Sequence, residues 1–276
     1  MALSPKTPYR TAAGLADRVD HCFPANLADL VAAAPGRRVS TNAVGRVAVL
    51  DVKGRLGDVV EELDCAIQLA LAEAPRGVAC DLSAVQDGGA AGAFGVLASS
   101  GRHVRDWSGI PVVMACPDAR VRDAVSAQPL GEHLLVAASL PVALSAILET
   151  TAPCVESLGL SPHPTSPRAS RDFVNRTLPL WGLDDLIATA CLLVSELVTN
   201  AMLHAGTDIE LTLAAHAQFL RVTVRDGSAS PPTQRDAGLD LHGRGLAIVA
   251  SLSRAWGVLP TGQRGKVVWA VLDATQ

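Results

Sequence analysis

The sequence predicts an α/β (α+β) protein of two domains, and three observations lead to this fold class. Stretches with strand and helix periodicity alternate between 45 and 150, which is typical of a sheet with helices packed on it. A proline-rich stretch, 161–167, interrupts that pattern. Beyond it, the order of a long apolar helix, two alternating strands, another helix and a last strand predicts an α/β sandwich with its helices on one sheet face.

Composition favours a folded chain whose partners are proteins or small molecules. The 276 residues are 49% hydrophobic and only 18% charged, which is unlike a disordered chain. A net charge of -4 supplies no general attraction for nucleic acid, so we expect no direct nucleic-acid partner. The six cysteines include no Cys-x-x-Cys pair, and the sequence therefore indicates neither a zinc site nor a redox motif.

Two further observations favour a cytoplasmic protein without a membrane partner. The N-terminus lacks the continuous apolar stretch of a secretion signal. The longest apolar run, 134–148, is shorter than the roughly 20 residues of a membrane span and contains Ser139 and Pro141. We interpret this run as a strand followed by a helix.

The first part of the chain is predicted to contain a partly ordered extension, 1–40, and a domain, 41–150. The extension has several prolines and no sustained period. Within the domain we predict strands over 46–52, 77–81, 110–115 and 134–138, and helices over 61–73, 91–106, 119–127 and from Pro141.

A linker, 151–165, and a second domain, 166–276, complete the predicted organisation. Ser166 can cap a helix whose first position suits Pro167. The following elements are predicted in this order: a helix over 184–205 ended by Gly206, strands over 208–214 and 219–226, a loop over 227–242, a helix over 243–256 and a strand over 266–272.

The first candidate functional element is a row of polar residues on the helix over 184–205. Glu196, Asn200 and His204 recur every four positions and therefore share one helix face. Asparagine is unfavourable inside a helix and glutamate is rarely placed among leucines without a partner, so this row indicates a ligand or a metal. The alternative is the solvated face of an amphipathic helix.

The second element is Asp226-Gly227, which ends an alternating strand. A carboxylate at this position can face a pocket at the strand end. The alternative is an ordinary turn, for which Asp-Gly is a common signal.

The third element is Gly243-Arg244-Gly245-Leu246, which precedes an apolar helix. It places flexible backbone N–H groups at a helix N-terminus, where anionic phosphates are stabilised. The alternative is a plain loop before a helix.

In this order and at these separations, the three elements resemble the N, G1 and G2 boxes of the GHKL ATPase superfamily. Together with 265–269, they are similar to those of actinobacterial anti-sigma factor serine kinases, over about 166–273. The resemblance implies a Bergerat-type sandwich that uses ATP and Mg²⁺.

The resemblance also implies roles for the residues of the boxes. Asn200 would hold the magnesium, Glu196 would act as general base on a serine hydroxyl or orient it, and Asp226 would bind the adenine amino group. The backbone of 243–245 would hold phosphates, Arg244 would offer a cation, and Leu246 would adjoin the nucleotide. The loop 228–242 would form a lid, and His204 would be structural.

The second box departs from the superfamily pattern. The box commonly has the form Asp-x-Gly-x-Gly, whereas prolines 231 and 232 follow Asp226-Gly227 here. These prolines imply a stiffer lid.

The first domain resembles a STAS domain, the fold of anti-sigma factor antagonists, through 47–56 and 78–85. The matching stretch Gly89-Ala90-Ala91-Gly92 stands where such antagonists have Asp-Ser-Ser-Gly, so the phosphoacceptor hydroxyl is missing. We therefore hypothesise that this domain is a built-in pseudosubstrate or a binding module. Ser83, Ser99 and Ser100 are the alternative acceptors.

The resemblances imply an anti-sigma regulatory factor that acts as a Mg-dependent protein-serine kinase on a separate STAS antagonist. Its partners would be a sigma factor, a STAS antagonist or both, and a homodimer is left open. An alternative is an ATP-dependent binding switch with little turnover. A histidine kinase ranks last, because no paired dimerisation helices precede the ATPase-like segment.

Overall fold

The computed structural model describes residues 38–86, 110–126, 135–216, 219–228, 245–261 and 265–274. Within them the chain forms two compact units, 38–153 and 154–274. The described part of each unit contains one five-stranded sheet with helices, which confirms the α/β (α+β) fold class.

The first unit has strands in the order β1-β2-β3-β4-β5, with β1 antiparallel to β2 and the others parallel. Gly45, at φ +60°, allows the two-residue turn that joins β1 to β2. The elements are β1 Val39–Val44, β2 Val47–Arg55, α1 Leu56–Ala72, β3 Gly77–Gln86, β4 Val112–Ala115, α2 Ala119–Ser126, β5 Leu135–Ala137 and α3 Leu140–Glu149.

The core of the first unit lies between its sheet and its helices. Ala143 and Ile147 of α3 are fully buried with Val49 and Val113 of the sheet. A Cβ at Gly77 would overlap the Ile147 side chain, so glycine allows this close packing.

Strand β1 was not predicted from the sequence. Its first two residues fall in the predicted extension, and its pattern is weak because only Val39 and Thr41 are buried. The predicted helix over 91–106 and the stretch 89–92 lie outside the described residues.

The second unit has strands in the order β6-β7-β8-β10-β9, all antiparallel. Its elements are β6 Cys154–Leu160, α4 Ser166–Leu180, a 3₁₀ turn Asp184–Leu186, α5 Ile187–His204, β7 Ile209–His216, β8 Phe219–Asp226, α6 Gly245–Leu252, β9 Ala255–Thr261 and β10 Gly265–Asp273.

Helices α4, α5 and α6 contribute to one apolar core with alternating residues of the sheet. The fully buried Val174, Leu193 and Val249, one from each helix, lie in this core with Val222 and Ala270. This arrangement agrees with the predicted sandwich.

The 184–204 stretch is the one stretch within the described ranges that is long and apolar enough to cross a membrane, and its α5 residues supply part of the core.

Three predictions about the second domain were wrong in detail. The predicted linker contains β6, which pairs with β7 from Cys154 opposite Ala215 to Leu160 opposite Ile209. The helix predicted over 243–256 ends at Leu252, and β9 follows it. Ser166 does not cap α4 but lies inside it, and its hydroxyl donates to the Ser161 carbonyl oxygen at 2.6 Å.

Candidate functional site

A pocket lies where the C-terminal half of α5 meets the end of β8, the start of β10 and the start of α6. Its non-protein space is about 320 Å³, a figure that includes open solvent. The lining residues are Leu197, Asn200, Ala201, His204, Val224, Asp226, Leu246, Lys266 and Val268.

Helix periodicity places the polar residues of α5 at this pocket. Asn200 and His204 are one turn apart and both line it, while the fully buried Leu193 and Val198 belong to the core. Glu196 lies one turn before Asn200 and is half-buried. No described residue forms a hydrogen bond or ion pair with its carboxylate.

Gly245, the first residue of α6, lies directly against this polar row. A Cβ at Gly245 would be 2.7 Å from Glu196 Oε2 and 3.4 Å from Asn200 Nδ2. Only glycine therefore fits at position 245 without displacing Glu196. The result is a backbone N–H at a helix N-terminus beside a carboxylate and a carboxamide.

On the other side of the pocket, Asp226 and Lys266 form a buried ion pair. Lys266 Nζ is 2.9 Å from Asp226 Oδ1, and the side chains are 5% and 1% exposed, respectively. The Ser228 backbone N–H also donates to Oδ1 at 2.9 Å, and Lys266 Nζ donates to the Ser228 carbonyl oxygen at 3.3 Å. The carboxylate is thus held in one orientation.

The backbone around this ion pair is fixed by two close approaches. The Gly227 N–H donates to Thr207 Oγ1 at 2.8 Å, directly after Asp226. At Gly265, a Cβ would be 2.6 Å from both the Asp226 carbonyl oxygen and Thr261 Oγ1. Glycine at 265 therefore lets β10 begin close to the end of β8, which places Lys266 opposite Asp226 in the register.

The predicted residues that the structure describes come together in two groups. Glu196, Asn200 and Gly245 are neighbours, and Asn200, Asp226 and Leu246 line one pocket. His204, expected to be structural, also lines the pocket and is exposed.

Other predicted site residues are not described. Gly243, Arg244 and the predicted lid from 229 to 242 lie outside the described residues.

Lys266 was not predicted as a site residue. The available signal was a single lysine immediately after a glycine, in a strand whose other residues up to Leu272 are apolar. Its position opposite Asp226 depends on strand pairing, which the sequence alone does not specify.

The described ranges contain no group of three or more His, Cys, Asp or Glu side chains placed to hold a metal ion. A magnesium ion at Asn200 would take its other ligands from phosphate oxygens and water, as Mg²⁺ commonly does.

Comparisons with known proteins support a nucleotide site. Residues 160–272 match the model of the histidine kinase-like ATPase domain family. No curated protein matches the chain.

Two solved structures are similar to parts of the chain. One is an anti-sigma factor antagonist from Mycobacterium paratuberculosis, at 24% identity and a TM-score of 0.33, over 42% of this chain and 99% of that one. The other contains the RsbU and RsbW domains of Rv1364c from Mycobacterium tuberculosis, at 19% identity and a TM-score of 0.32, over 45% of this chain and 33% of that one. By the family match and the site geometry, residues 160–272 of this chain form a histidine kinase-like ATPase domain.

Proposed function

We propose that this protein is an ATP-binding anti-sigma regulatory factor of the cytoplasm. In this proposal it is a Mg-dependent protein-serine kinase that phosphorylates a separate STAS-type anti-sigma antagonist and also binds a sigma factor. The proposal rests on the ATPase domain over 160–272 and on the resemblance of its boxes to those of anti-sigma factor serine kinases.

The observation that supports it best is the close approach of Gly245 to Glu196 and Asn200. It brings a helix N-terminus, where N–H groups stabilise phosphate, beside a carboxylate with no described partner. The donor set also fits a nucleotide, because the pocket offers apolar walls for a base and the Asp226 carboxylate for its amino group.

Each residue then has one task. The Gly245 N–H would donate to a phosphate oxygen, and Glu196 would accept the proton of the attacking serine hydroxyl. Asn200 would hold Mg²⁺ through its amide oxygen, and the bound ion would neutralise charge on the phosphates. None of the described side chains is paired with Glu196, which is consistent with this role for its carboxylate.

Phosphate transfer to purified STAS antagonists from labelled ATP tests this function. We expect transfer by the wild type and a loss of about 100-fold or more in Glu196→Gln, with ATP binding retained. Asn200→Ala should lose Mg-dependent nucleotide binding. A wild type that binds no ATP would contradict the whole proposal.

A binding switch is the second candidate, and the residues around Asp226 favour it. Two prolines follow shortly after Asp226-Gly227, and Lys266 occupies one oxygen of the carboxylate. ATP would then bias the choice between a sigma factor and an antagonist without turnover. ATP binding without transfer to any antagonist, together with ATP-dependent affinity for a sigma factor, would favour the switch over the kinase.

For the first unit we propose a STAS-like binding module that does not accept phosphate, since Ala90 and Ala91 stand at the acceptor stretch. Ser83, the described alternative acceptor, lies in β3 and is exposed, and its N–H donates to Asp81 Oδ1 at 2.9 Å where the pairing of β2 with β3 is irregular. Phosphosite mapping after incubation with ATP should find no label on Ser83, Ser99 or Ser100. Label at any of them would overturn this proposal.

A further inference from the structure

We propose that Lys266 recognises the nucleotide base together with Asp226. In this arrangement Asp226 Oδ2 accepts a hydrogen bond from the adenine amino group, and the Lys266 ammonium donates to the neighbouring ring nitrogen, N1. The inference deepens the proposed function and rests on it, because it assigns the base contacts of the same ATP site.

The first argument is a count of hydrogen bonds. A lysine ammonium has three N–H donors, of which two are used, toward Asp226 Oδ1 and the Ser228 carbonyl oxygen. Asp226 Oδ1 accepts two bonds, from Lys266 and from the Ser228 N–H. Among the described residues none donates to Asp226 Oδ2. Within the described part of the chain, one donor of the Lys266 ammonium and the Oδ2 oxygen of Asp226 therefore remain without a partner.

The second argument is their location. Both residues line the pocket, whose described walls near them are the apolar side chains of Val224, Leu246 and Val268. A flat purine between these walls would meet its polar partners at the ion pair. Burial of the pair makes each remaining hydrogen-bonding position costly to leave unmatched.

The third argument is complementarity with the base edge. Adenine presents a donor, the amino group, next to an acceptor, N1. Guanine presents an acceptor, O6, next to a donor, the N1–H. With the phosphates directed toward Gly245, the base cannot turn freely, so Asp226 and Lys266 together favour adenine over guanine. The bonds to Asp226 and Ser228 restrict the ammonium to this position.

Removing N1 from the nucleotide and the ammonium from the protein, singly and together, tests this contact directly. Binding of Mg-ATP and Mg-1-deaza-ATP, which lacks N1, is measured by calorimetry for the wild type and for Lys266→Met. We expect the wild type to bind 1-deaza-ATP about 10- to 100-fold more weakly than ATP, as for a lost hydrogen bond to a charged group. In Lys266→Met the two nucleotides should bind alike, because the partner of N1 is already absent.

A neutral double variant, Asp226→Asn with Lys266→Met, avoids an unpaired buried carboxylate and serves if the single variant does not fold. Arg254→Met, which removes a cation from the exposed pair with Asp273, is the matched control and should keep the wild-type preference for ATP. The inference would be overturned if the loss of N1 weakened nucleotide binding equally with and without Lys266, or if the wild type bound ATP and 1-deaza-ATP with the same affinity. Either result would leave ATP binding itself intact. A wild type without ATP binding would instead overturn both proposals.

Discussion

At the residue scale, Gly245 determines whether the phosphate end of the site can form. Its missing side chain leaves room for the Glu196 carboxylate, and the same short distance brings Asn200 within reach of the α6 N-terminus. The nearest atom to a new Cβ would be the far end of the flexible Glu196 side chain, which can rotate away at little cost. A substitution here should therefore affect chemistry more than folding.

We expect Gly245→Ala to lower phosphotransfer about 10- to 100-fold, because it displaces Glu196 from the reacting hydroxyl. The free energy of unfolding should change by about 1 kcal/mol or less, since alanine favours the helix that begins here. Steady-state kinetics and urea unfolding measure the two effects. Gly159→Ala is the control, because a Cβ at Gly159 meets no atom within 4 Å and should leave both quantities unchanged. Equal losses of stability and activity would contradict this prediction.

The Lys266–Asp226 pair allows a prediction about stability. Lys266→Met leaves a carboxylate buried without its cation and should cost about 3–5 kcal/mol in the free energy of unfolding. Replacing both residues by apolar ones, Lys266→Met with Asp226→Leu, should cost clearly less than the single change. Arg254→Met at the exposed pair with Asp273 should cost about 1 kcal/mol or less. Urea unfolding of the three variants would disprove this ranking if the double variant were the least stable.

Residues of the site differ in how far the sequence could predict them. Glu196, Asn200 and Asp226 could be predicted because their combination resembles the boxes of the GHKL superfamily, whereas each of them alone also fits an ordinary amphipathic helix or turn. Lys266 does not stand out, because its role comes from the pairing of β10 with β8, about 40 residues away along the chain.

At the scale of elements, long periodic segments were predicted and short edge strands were not. Strand β8 was predicted with its observed bounds, because its apolar residues alternate regularly. Strand β6 was missed because, among the described strands, it pairs with β7 alone, and because it contains Gly159 and exposed polar residues. Strand β9 was missed because Gly257 and Pro260 interrupt its strand-like sequence pattern. Gly257 is needed in the strand because a Cβ at this position would be 2.8 Å from the Trp269 ring.

Strand β6 should matter for the stability of the ATPase domain. A fragment over 151–276 should be about 2–4 kcal/mol more stable in urea than a fragment over 166–276, which begins at the predicted domain boundary. The shorter fragment loses the pairing with β7 and exposes core surface covered by Leu158 and Leu160. The longer fragment with Leu158→Ser and Leu160→Ser should be intermediate, because it keeps the strand but not its apolar contacts. Equal stability of all three would contradict the assignment of β6 to this domain.

At the scale of the whole molecule, nucleotide binding should be visible as a local pattern of protection. Binding to the folded state alone stabilises it by about 2.7 kcal/mol at a ligand concentration of 100 times Kd. Besides the start of β10, the described site is made of three separate segments: the second half of α5, the end of β8 with Ser228, and the start of α6. If one ligand contacts all three, they should become protected together.

Hydrogen–deuterium exchange with and without Mg-ATP measures this pattern in the full chain. We expect slower exchange in peptides over 193–204, 222–228 and 245–252, and no change over 154–160, because β6 is at the sheet edge, two strands from Asp226. Asn200→Ala should remove the protection of all three segments together, since one bound nucleotide causes it. Protection confined to one segment, or retained in Asn200→Ala, would mean that these segments do not share a ligand, and the site would have to be reassigned.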